Sequence, residues 1–498
     1  MICVSVGRGR HKHTIAEHQF LADEGFELVE LRLDFIRTDV NLTRLIKDRP
    51  CPAIITCRRK EEGGRFSGTE AERQTLLRTA ITSGIEYVDL EEDIAGKIPR
   101  FGKTKRIVSL HDFEKTPDDL DAVHARLAAL DADVVKIATM ANSIDDCIRM
   151  IRLVREKNKE IPTVAFCMGD IGAFTRILIG KYGAPWTYAS MSNERTLAPG
   201  QISFNDMRYM YRYDEINECT EFFGVIADPV GHSLSPLIHN SAFANMKMNR
   251  VYLPLRILPE DLPTFLDSTE ELNIKGISVT IPHKEAVIPK LTQADQAVRE
   301  IGACNTMIFD GAERLGYNTD YRAAIMSMEN AVGGNEASKE SPLAGRTALI
   351  LGSGGVGKAI AFGLIQRGVK VVLTDIDADR ASELAERFDC DICDWNVRHA
   401  IRTDILVNCT PVGMHPKVDD SPYDKAHMHT DMIVFDAVYN PENTLFIKYA
   451  KEKGCTTVTG VDMFVLQALL QFKLFTGQNG PAKLMRDVIK RATSAAKF

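Results

Sequence analysis

Along the first 215 or so residues, apolar positions fall into short runs rich in β-branched side chains. Longer stretches with a helical period separate these runs. The runs lie at 2–6, 28–33, 53–57, 87–90, 107–110, 134–138, 164–168 and 187–190. Eight strands, each followed by a helix-length segment, predict an α/β chain whose residues 1–216 form a (β/α)8 barrel. Chemistry in that fold gathers at the C-terminal strand ends, which singles out Glu30, Arg32, Arg58, His111 and Lys136. A polar junction at 217–220 closes this half. A second β/α region begins at 221 and runs to about 325, and the helical segments from 461 to 498 are expected to pack back onto it. A polar stretch at 333–341 leads into a further unit, expected at 342–460. The chain has no internal repeat and no low-complexity tract.

That further unit carries the most specific pattern. The run 349–358 reads LILGSGGVGK: an apolar strand, then Gly352, Gly354 and Gly357 in G-x-G-x-x-G spacing, with Gly355 between them, then a helical pattern. Asp375 follows 18 residues after Gly357, at the end of the apolar run 371–375. Strand, glycine loop, helix and a delayed acid together make the dinucleotide fingerprint. The glycines allow a tight turn and let the backbone approach a pyrophosphate at the helix N-terminus.

Composition narrows the classes. At 498 residues the chain needs several cores. A net charge of −7 leaves no basic footprint for nucleic acid, and no apolar run approaches the roughly 18 residues of a membrane span. The expected partners are therefore small-molecule substrates, with the oligomeric state open. The N-terminus reads as a strand rather than a signal or transit segment, so a cytoplasmic protein is expected. The 11 cysteines are expected to be reduced and buried. Cys390 and Cys393 make one C-x-x-C without a second pair nearby.

Lys136 lies in the run 133–138, DVVKIA. On an inward-facing strand, desolvation favours a neutral amine able to attack a ketone; alternatively the side chain reaches solvent from the strand end. His111 suits proton transfer near neutrality, or is a packed side chain. Arg58 and Arg176 suggest a carboxylate clamp, or surface ion pairs. Together these positions resemble type I 3-dehydroquinate dehydratase. The motifs that carry the resemblance are ELRLD at 30–34, TCR at 56–58 with EGG at 62–64, SLH at 109–111, VKIA at 135–138, MG at 168–169 with Arg176, and APGQ at 198–201. The resemblance implies that Lys136 forms an imine, that His111 moves the proton and that Glu62 orients it. It further implies that Glu30, Arg32, Arg58, Arg176 and Gln201 hold the substrate. The family's usual serine four residues before the glutamine is Leu197 here.

In the second half, Ser233 and Ser235 surround a turn before Pro236, either to bind a carboxylate or to cap a helix. Lys284 follows the run 276–280, and Asn305 and Asp320 follow later apolar patches. A lysine and an aspartate brought together can pass a proton to a carbonyl oxygen. These positions resemble shikimate dehydrogenase over 221–495. The supporting motifs are SLSP at 233–236, TIPHK at 280–284, ACNT at 303–306, NTD at 318–320, the glycine loop, NCTPVGM at 408–414, YNP at 439–441 and GVDM at 460–463 with Gln467. The resemblance implies Lys284 and Asp320 as the catalytic pair and Ser233, Ser235, Thr280, Asn305, Tyr439 and Gln467 as substrate ligands. The glycine loop and Gly460 would meet the cofactor.

Both resemblances in one chain resemble the bifunctional dehydroquinate dehydratase/shikimate dehydrogenase family, which needs no metal. NADP is the family default. Here Asp375 stands where NADP-preferring members carry an arginine-containing triplet. An acid there accepts hydrogen bonds from a ribose diol and repels a 2′-phosphate, so NAD is expected to be used well, with Arg380 as a counterweight. The alternatives are a catabolic NAD-dependent quinate/shikimate dehydrogenase, and a non-enzymatic regulator, which would be expected to lose the catalytic groups.

Overall fold

The computed structural model describes residues 1–334 and 340–493. The polar 333–341 stretch and the terminal helical segment expected to run to 498 therefore lie partly outside the described residues. The chain divides into two compact units: residues 1–222 with 228–231 and 249–273, and residues 223–227, 232–248 and 274–498.

The first unit holds eight strands: β1 (Ile2–Val6), β2 (Leu28–Arg32), β3 (Ala53–Thr56), β4 (Tyr87–Glu91), β5 (Lys105–Asp112), β6 (Val134–Met140), β7 (Thr163–Met168) and β8 (Thr187–Ala189). They form one sheet in the order β7-β6-β5-β4-β3-β2-β1-β8, so the ladder is wound as in a (β/α)8 barrel with β7 and β8 at its ends. The pairings between neighbours are parallel. The strands are buried on both faces, which is why they read as near-continuous apolar runs. Alternation puts Val135 and Ile137 on one face of β6 and Lys136 and Ala138 on the other; all four are buried. Register sets Ser109 of β5 opposite both Glu91 of β4 and Lys136 of β6.

Helix Ile144–Lys157 shows how the outer layer is specified. Ser143 and Asp146 form a capping box, acids occupy the first turn, and Arg155 and Lys157 the last, as the helix dipole favours. Its arginines also explain why 249–273, expected within a 221–325 domain, groups with this unit: Arg152 and Arg155 pair with Glu271 at 2.9 and 3.1 Å. β10 (Arg250–Arg256) falls in the same stretch, after β9 (Glu221–Ala227).

In the second unit, β9 is followed by β11 (Ile274–Val279), β12 (Gln293–Ala294), β13 (Thr306–Asp310) and β14 (Glu313–Tyr317), in the order β9-β11-β13-β14-β12. The remaining strands are β15 (Thr347–Leu351), β16 (Lys370–Thr374), β17 (Asp391–Ile392), β18 (Ile405–Asn408), β19 (Ile433–Asp436) and β20 (Thr456–Val458). They form a parallel sheet ordered β17-β16-β15-β18-β19-β20. This is the doubly wound dinucleotide order, with its switch point between β15 and β18, where ligands bind.

All eleven cysteines are unpaired, but the expectation that they are buried holds only in part: five are buried and Cys219 is exposed. Cys390 packs with Ile350 and Leu373, whereas Cys393 packs with Leu349 and Val372. Those strand residues alternate between sheet faces. The C-x-x-C thiols therefore lie on opposite sides and do not form a redox or metal pair.

Candidate active sites

A pocket of about 50 Å³ opens among the strands of the first unit. Its walls include all eight residues expected there: Glu30, Arg32, Arg58, Glu62, His111, Lys136, Arg176 and Gln201. Lys136 projects from β6 and its amine sits 4.2 Å above the Tyr188 ring. The alternative of a solvent-reaching lysine is excluded, since Lys136 is 4% exposed.

Two carboxylates flank that amine. Asp89 of β4 accepts from Lys136 Nζ at 2.8 Å. Glu30 Oε1 is 3.6 Å away, and Glu30 is itself held by the hydroxyls of Ser5 at 2.6 Å and Thr56 at 2.8 Å. Burial works against the Glu30 charge, but Lys136 and then Arg32 outweigh it and hold the carboxyl below its usual range. Asp89, fully enclosed, is likewise penalised by burial, yet Arg58 and Lys136 hold it well below the usual carboxylate range.

His111 Nδ1 lies 3.6 Å from Glu62 Oε2, longer than a hydrogen bond, and the nitrogen has no other partner. Burial first, then Arg58 and Lys136, pushes the imidazole well below its ordinary value, so His111 is neutral and able to accept a proton. Burial raises Glu62 to about 7 against the pull of Arg58.

The three arginines differ. Arg32 donates both Nε and Nη2 to Asp34, at 2.9 and 2.8 Å. Arg58 is held by Asp89 at 2.8 Å and Glu91 at 3.3 Å. Only Arg176 has no carboxylate partner among the described residues. It is 1% exposed, its guanidinium lies 4.0 Å over Phe166, and its one hydrogen bond goes to the Pro199 carbonyl at 3.3 Å. Burial lowers it to about 9, which still leaves a cation at neutral pH. A buried cation without a counter-ion is costly, and its site is complementary to an anion. Of the two arginines expected to form a clamp, Arg58 is engaged by carboxylates and Arg176 is not. Leu197, in the usual serine's place, packs its side chain beside Gly7 and Phe35, and its N–H donates to Gln201 Oε1 at 2.8 Å.

In the second unit a cavity of about 160 Å³ is lined by Ser233, Ser235, Thr280, Lys284, Asn305, Asp320, Tyr439, Gly460 and Gln467. These are the residues expected from motifs spread over more than 230 positions. Lys284 Nζ donates to Asp320 Oδ2 at 2.6 Å. Asn305 Nδ2 donates to the other Asp320 oxygen at 2.8 Å, and lies 3.4 Å from Gln467 Oε1. Asp320 opens helix Asp320–Ala331, where the dipole favours its charge. The two serines relate as a local turn, with the Ser235 N–H donating to Ser233 Oγ at 3.3 Å. Tyr439 stacks on Phe464 at 4.7 Å. Gly460 is required by packing: a Cβ there would stand 2.3 Å from the Val438 carbonyl oxygen.

The glycine loop follows β15. Gly354 caps helix Gly355–Ile365. Gly352 has φ +100, and a Cβ on Gly357 would lie 2.1 Å from Gly352 O. The loop therefore tolerates no side chain at those points and presents a helix N-terminus, which fits a dinucleotide pyrophosphate. Asp375 accepts from the Ser353 N–H at 2.6 Å and the Asp377 N–H at 3.1 Å. Arg380 reaches across Gly354, with Nη2 3.6 Å from where a Cβ would stand.

Several site residues carry no motif. Ser5 and Tyr188 line the first pocket and Ser278 and Gln471 the second. Gln471 donates to the Asn305 carbonyl at 3.2 Å and to Thr306 Oγ1 at 2.9 Å, and accepts from Ser278 at 2.8 Å. Its position four residues after Gln467, one turn along helix Gly460–Thr476, was the available signal.

Comparison with known proteins finds matches for both halves of the chain. Residues 2–218 match the type I 3-dehydroquinase family, 225–307 the shikimate dehydrogenase substrate binding domain and 460–490 the shikimate 5′-dehydrogenase C-terminal domain. Residues 347–438 match a family of coenzyme F420-dependent NADP oxidoreductases. A shikimate dehydrogenase (NADP(+)) of Caldanaerobacter subterraneus is 39% identical over 53% of this chain and 94% of its own length. A crystal structure of a shikimate dehydrogenase in complex with NADP+ is 31% identical and superposes with a TM-score of 0.52, over 56% of this chain and 98% of that one. A chloroplastic bifunctional 3-dehydroquinate dehydratase/shikimate dehydrogenase of Arabidopsis thaliana is 37% identical over 99% of this chain and 84% of its own length. The chain belongs to the family of bifunctional 3-dehydroquinate dehydratase/shikimate dehydrogenases, multifunctional enzymes of the shikimate pathway.

Proposed function

We propose that the first unit dehydrates 3-dehydroquinate to 3-dehydroshikimate through an imine on Lys136, and that the second reduces the product to shikimate with a nicotinamide dinucleotide. The domains we assign are 1–216, 221–325 completed by 461–498, and 342–460. The observation that carries the reading is Arg176: a buried cation without a carboxylate, in the same pocket as an enclosed amine and a neutral histidine.

Arg176 receives the substrate carboxylate, which orients the ketone toward Lys136 Nζ. The amine adds to the ketone carbon, water leaves, and a protonated imine withdraws electrons from the neighbouring carbon. Neutral His111 removes the proton there; the enamine expels the hydroxyl, to which His111 returns the proton so that it leaves as water. A second water then hydrolyses the imine and frees Lys136. Glu62 as a carboxylate orients His111. Dehydratase kcat/KM should therefore fall as pH drops below about 7, as Glu62 takes up its proton. Glu62→Gln should remove that acidic limb while lowering the plateau. A rate profile from pH 5.5 to 9 checks this; an unchanged limb in the variant contradicts the assignment.

Replacing Arg176 by methionine should raise KM for 3-dehydroquinate by about 30-fold or more, because the substrate anion loses its only unshared cation. Thermal stability should stay level or rise, since a buried unpaired charge is removed. Steady-state kinetics with a melting curve check both; a fall in melting temperature with unchanged KM contradicts the role.

In the second unit, Ser233, Ser235, Thr280, Asn305, Tyr439 and Gln467 hold the substrate hydroxyls and carboxylate. Lys284 and Asp320 hold the proton that the carbonyl oxygen takes up. Bound at the glycine loop, the dinucleotide supplies the hydride. We place the family's NADP default against Asp375, whose carboxylate repels a 2′-phosphate, and Arg380, which attracts one. We infer that NAD is used well: kcat/KM for NADH within about tenfold of that for NADPH, a difference of about 1.4 kcal/mol at most. A preference for NADPH of two orders of magnitude contradicts this. The expected site of action is the cytoplasm, and no described helix is long and apolar enough to cross a membrane.

A further inference from the structure

No motif points to Asp89. It is the central residue of β4, in the sequence YVDLE, and its side chain is 0% exposed. Its Oδ2 accepts from Lys136 Nζ at 2.8 Å and is ion-paired with Arg58 Nη2, also at 2.8 Å. Its Oδ1 accepts from Ser109 Oγ at 2.6 Å, and Ser109 also accepts from Arg58 Nη1 at 3.1 Å. Three elements thus converge on one carboxylate that touches the amine directly.

We propose that Asp89 is the positioning residue of the imine-forming lysine: it aims the Lys136 amine into the pocket and, by sharing its charge with Arg58, sets the pH at which that amine becomes nucleophilic. The proposal rests on the reading of Lys136 as the imine-forming residue. Charge sharing is the essential point. An anion paired only to an ammonium holds it protonated and unreactive. Here the same oxygen is occupied by a permanent cation, so Asp89 fixes direction while its hold on the lysine proton is divided.

The other groups facing the amine do not substitute for it. Glu30 of β2 is 3.6 Å away and engaged by two hydroxyls. Glu62, beyond β3, faces Arg58 and His111, and Glu91 of β4 binds Arg73 at 2.6 Å and Arg58. His111 of β5 is neutral. Tyr188 of β8 and Cys3 of β1 are both raised well above their usual values by burial, and stay uncharged. Arg32 is a fixed cation, and Arg176, lowered to about 9 by burial, is a cation at neutral pH.

The atoms balance without a further base. An ammonium with three hydrogens and a ketone become an iminium with one N–H and one water. Asp89 stays ionised throughout and keeps its hydrogen bond to the remaining N–H.

The test uses the full chain with 3-dehydroquinate and borohydride, which reduces the imine to a stable adduct read by intact mass. Trapping rate is followed from pH 5.5 to 9, with dehydratase kcat and KM and the dehydrogenase rate of each variant. In Asp89→Asn the trapping profile should move to lower pH by about one to three units, and kcat should fall about 10²-fold as the amine loses its aim. The dehydrogenase rate should not change. Asp89→Glu should return the profile to the unaltered pH while kcat stays reduced, separating charge from position. Should the Asn variant not fold, Ser109→Ala serves: Asp89 loses a donor, holds the lysine proton more tightly, and the profile moves to higher pH. A profile superimposable on that of the unaltered chain overturns the proposal. Absence of any adduct in the unaltered chain overturns the imine reading itself, and the proposal with it.

Discussion

Lys136→Ala should abolish dehydration of 3-dehydroquinate, by on the order of 10⁵-fold or more, while reduction of 3-dehydroshikimate proceeds at the unaltered rate. The magnitude follows from what the lysine supplies. A positioned nucleophile converts a bimolecular attack into an intramolecular one, and no other amine lines the pocket. His111 retains a base's protonation state but has no acidified C–H to act on, because the imine provides the electron sink. The selectivity follows from the pockets, since Lys136 and Lys284 line separate cavities with no residue in common. Removing Lys136 also takes from Asp89 one of its three partners, and the Arg58 ion pair and the Ser109 hydrogen bond remain, so folding should tolerate the change. Separate assays of the two half-reactions check the prediction. Loss of both activities contradicts it.

Replacing Lys284 by alanine, or Asp320 by asparagine, should lower kcat of the dehydrogenase by about 10²–10⁴-fold, the usual share of general acid–base catalysis. The two are a unit at 2.6 Å, so the double variant should be little worse than the worse single one. KM should change less for Lys284→Ala than for Asp320→Asn, because Asp320 also accepts from Asn305 at 2.8 Å and its replacement disturbs that ligand. Additive losses in the double variant would show that the residues act independently. The dehydratase should be unaffected in all three.

Much of this architecture was legible because parallel strands are buried on both faces. The run 53–57 announces β3 through Ala53, Ile54 and Ile55, all 0% exposed. Boundaries were less legible where chemistry sits. The apolar run 107–110 becomes a strand reaching from Lys105 to Asp112, and 134–138 continues to Met140. Lys105, Arg106, His111 and Asp112 extend the first, where hydrophobicity alone reads charge as loop, and Thr139 and Met140 extend the second.

The residues that motif reading singled out for substrate and catalysis line the two pockets, but motifs could not say which charges were already engaged. Arg32 looks like a substrate ligand until Asp34, two residues on, is seen to take both of its donors. Asp89 looks like an incidental acid in an apolar strand until the fold lets the Lys136 side chain reach back to it from β6. The first depends on a side-chain conformation two residues away, and the second on side chains that meet across strands distant in sequence. The Asp375 expectation met a similar limit: the carboxylate lies beside the glycine loop but is partly occupied by the Ser353 N–H.

One measurement tests the central claim, that a single chain dehydrates and then reduces. The purified full chain is given 3-dehydroquinate alone while the conjugated enone of 3-dehydroshikimate is followed by ultraviolet absorbance; NADH or NADPH is then added in parallel and its consumption followed. The account predicts enone formation without cofactor, then its disappearance together with the reduced nicotinamide. An enone that accumulates and persists with either cofactor, or no enone at all, contradicts it.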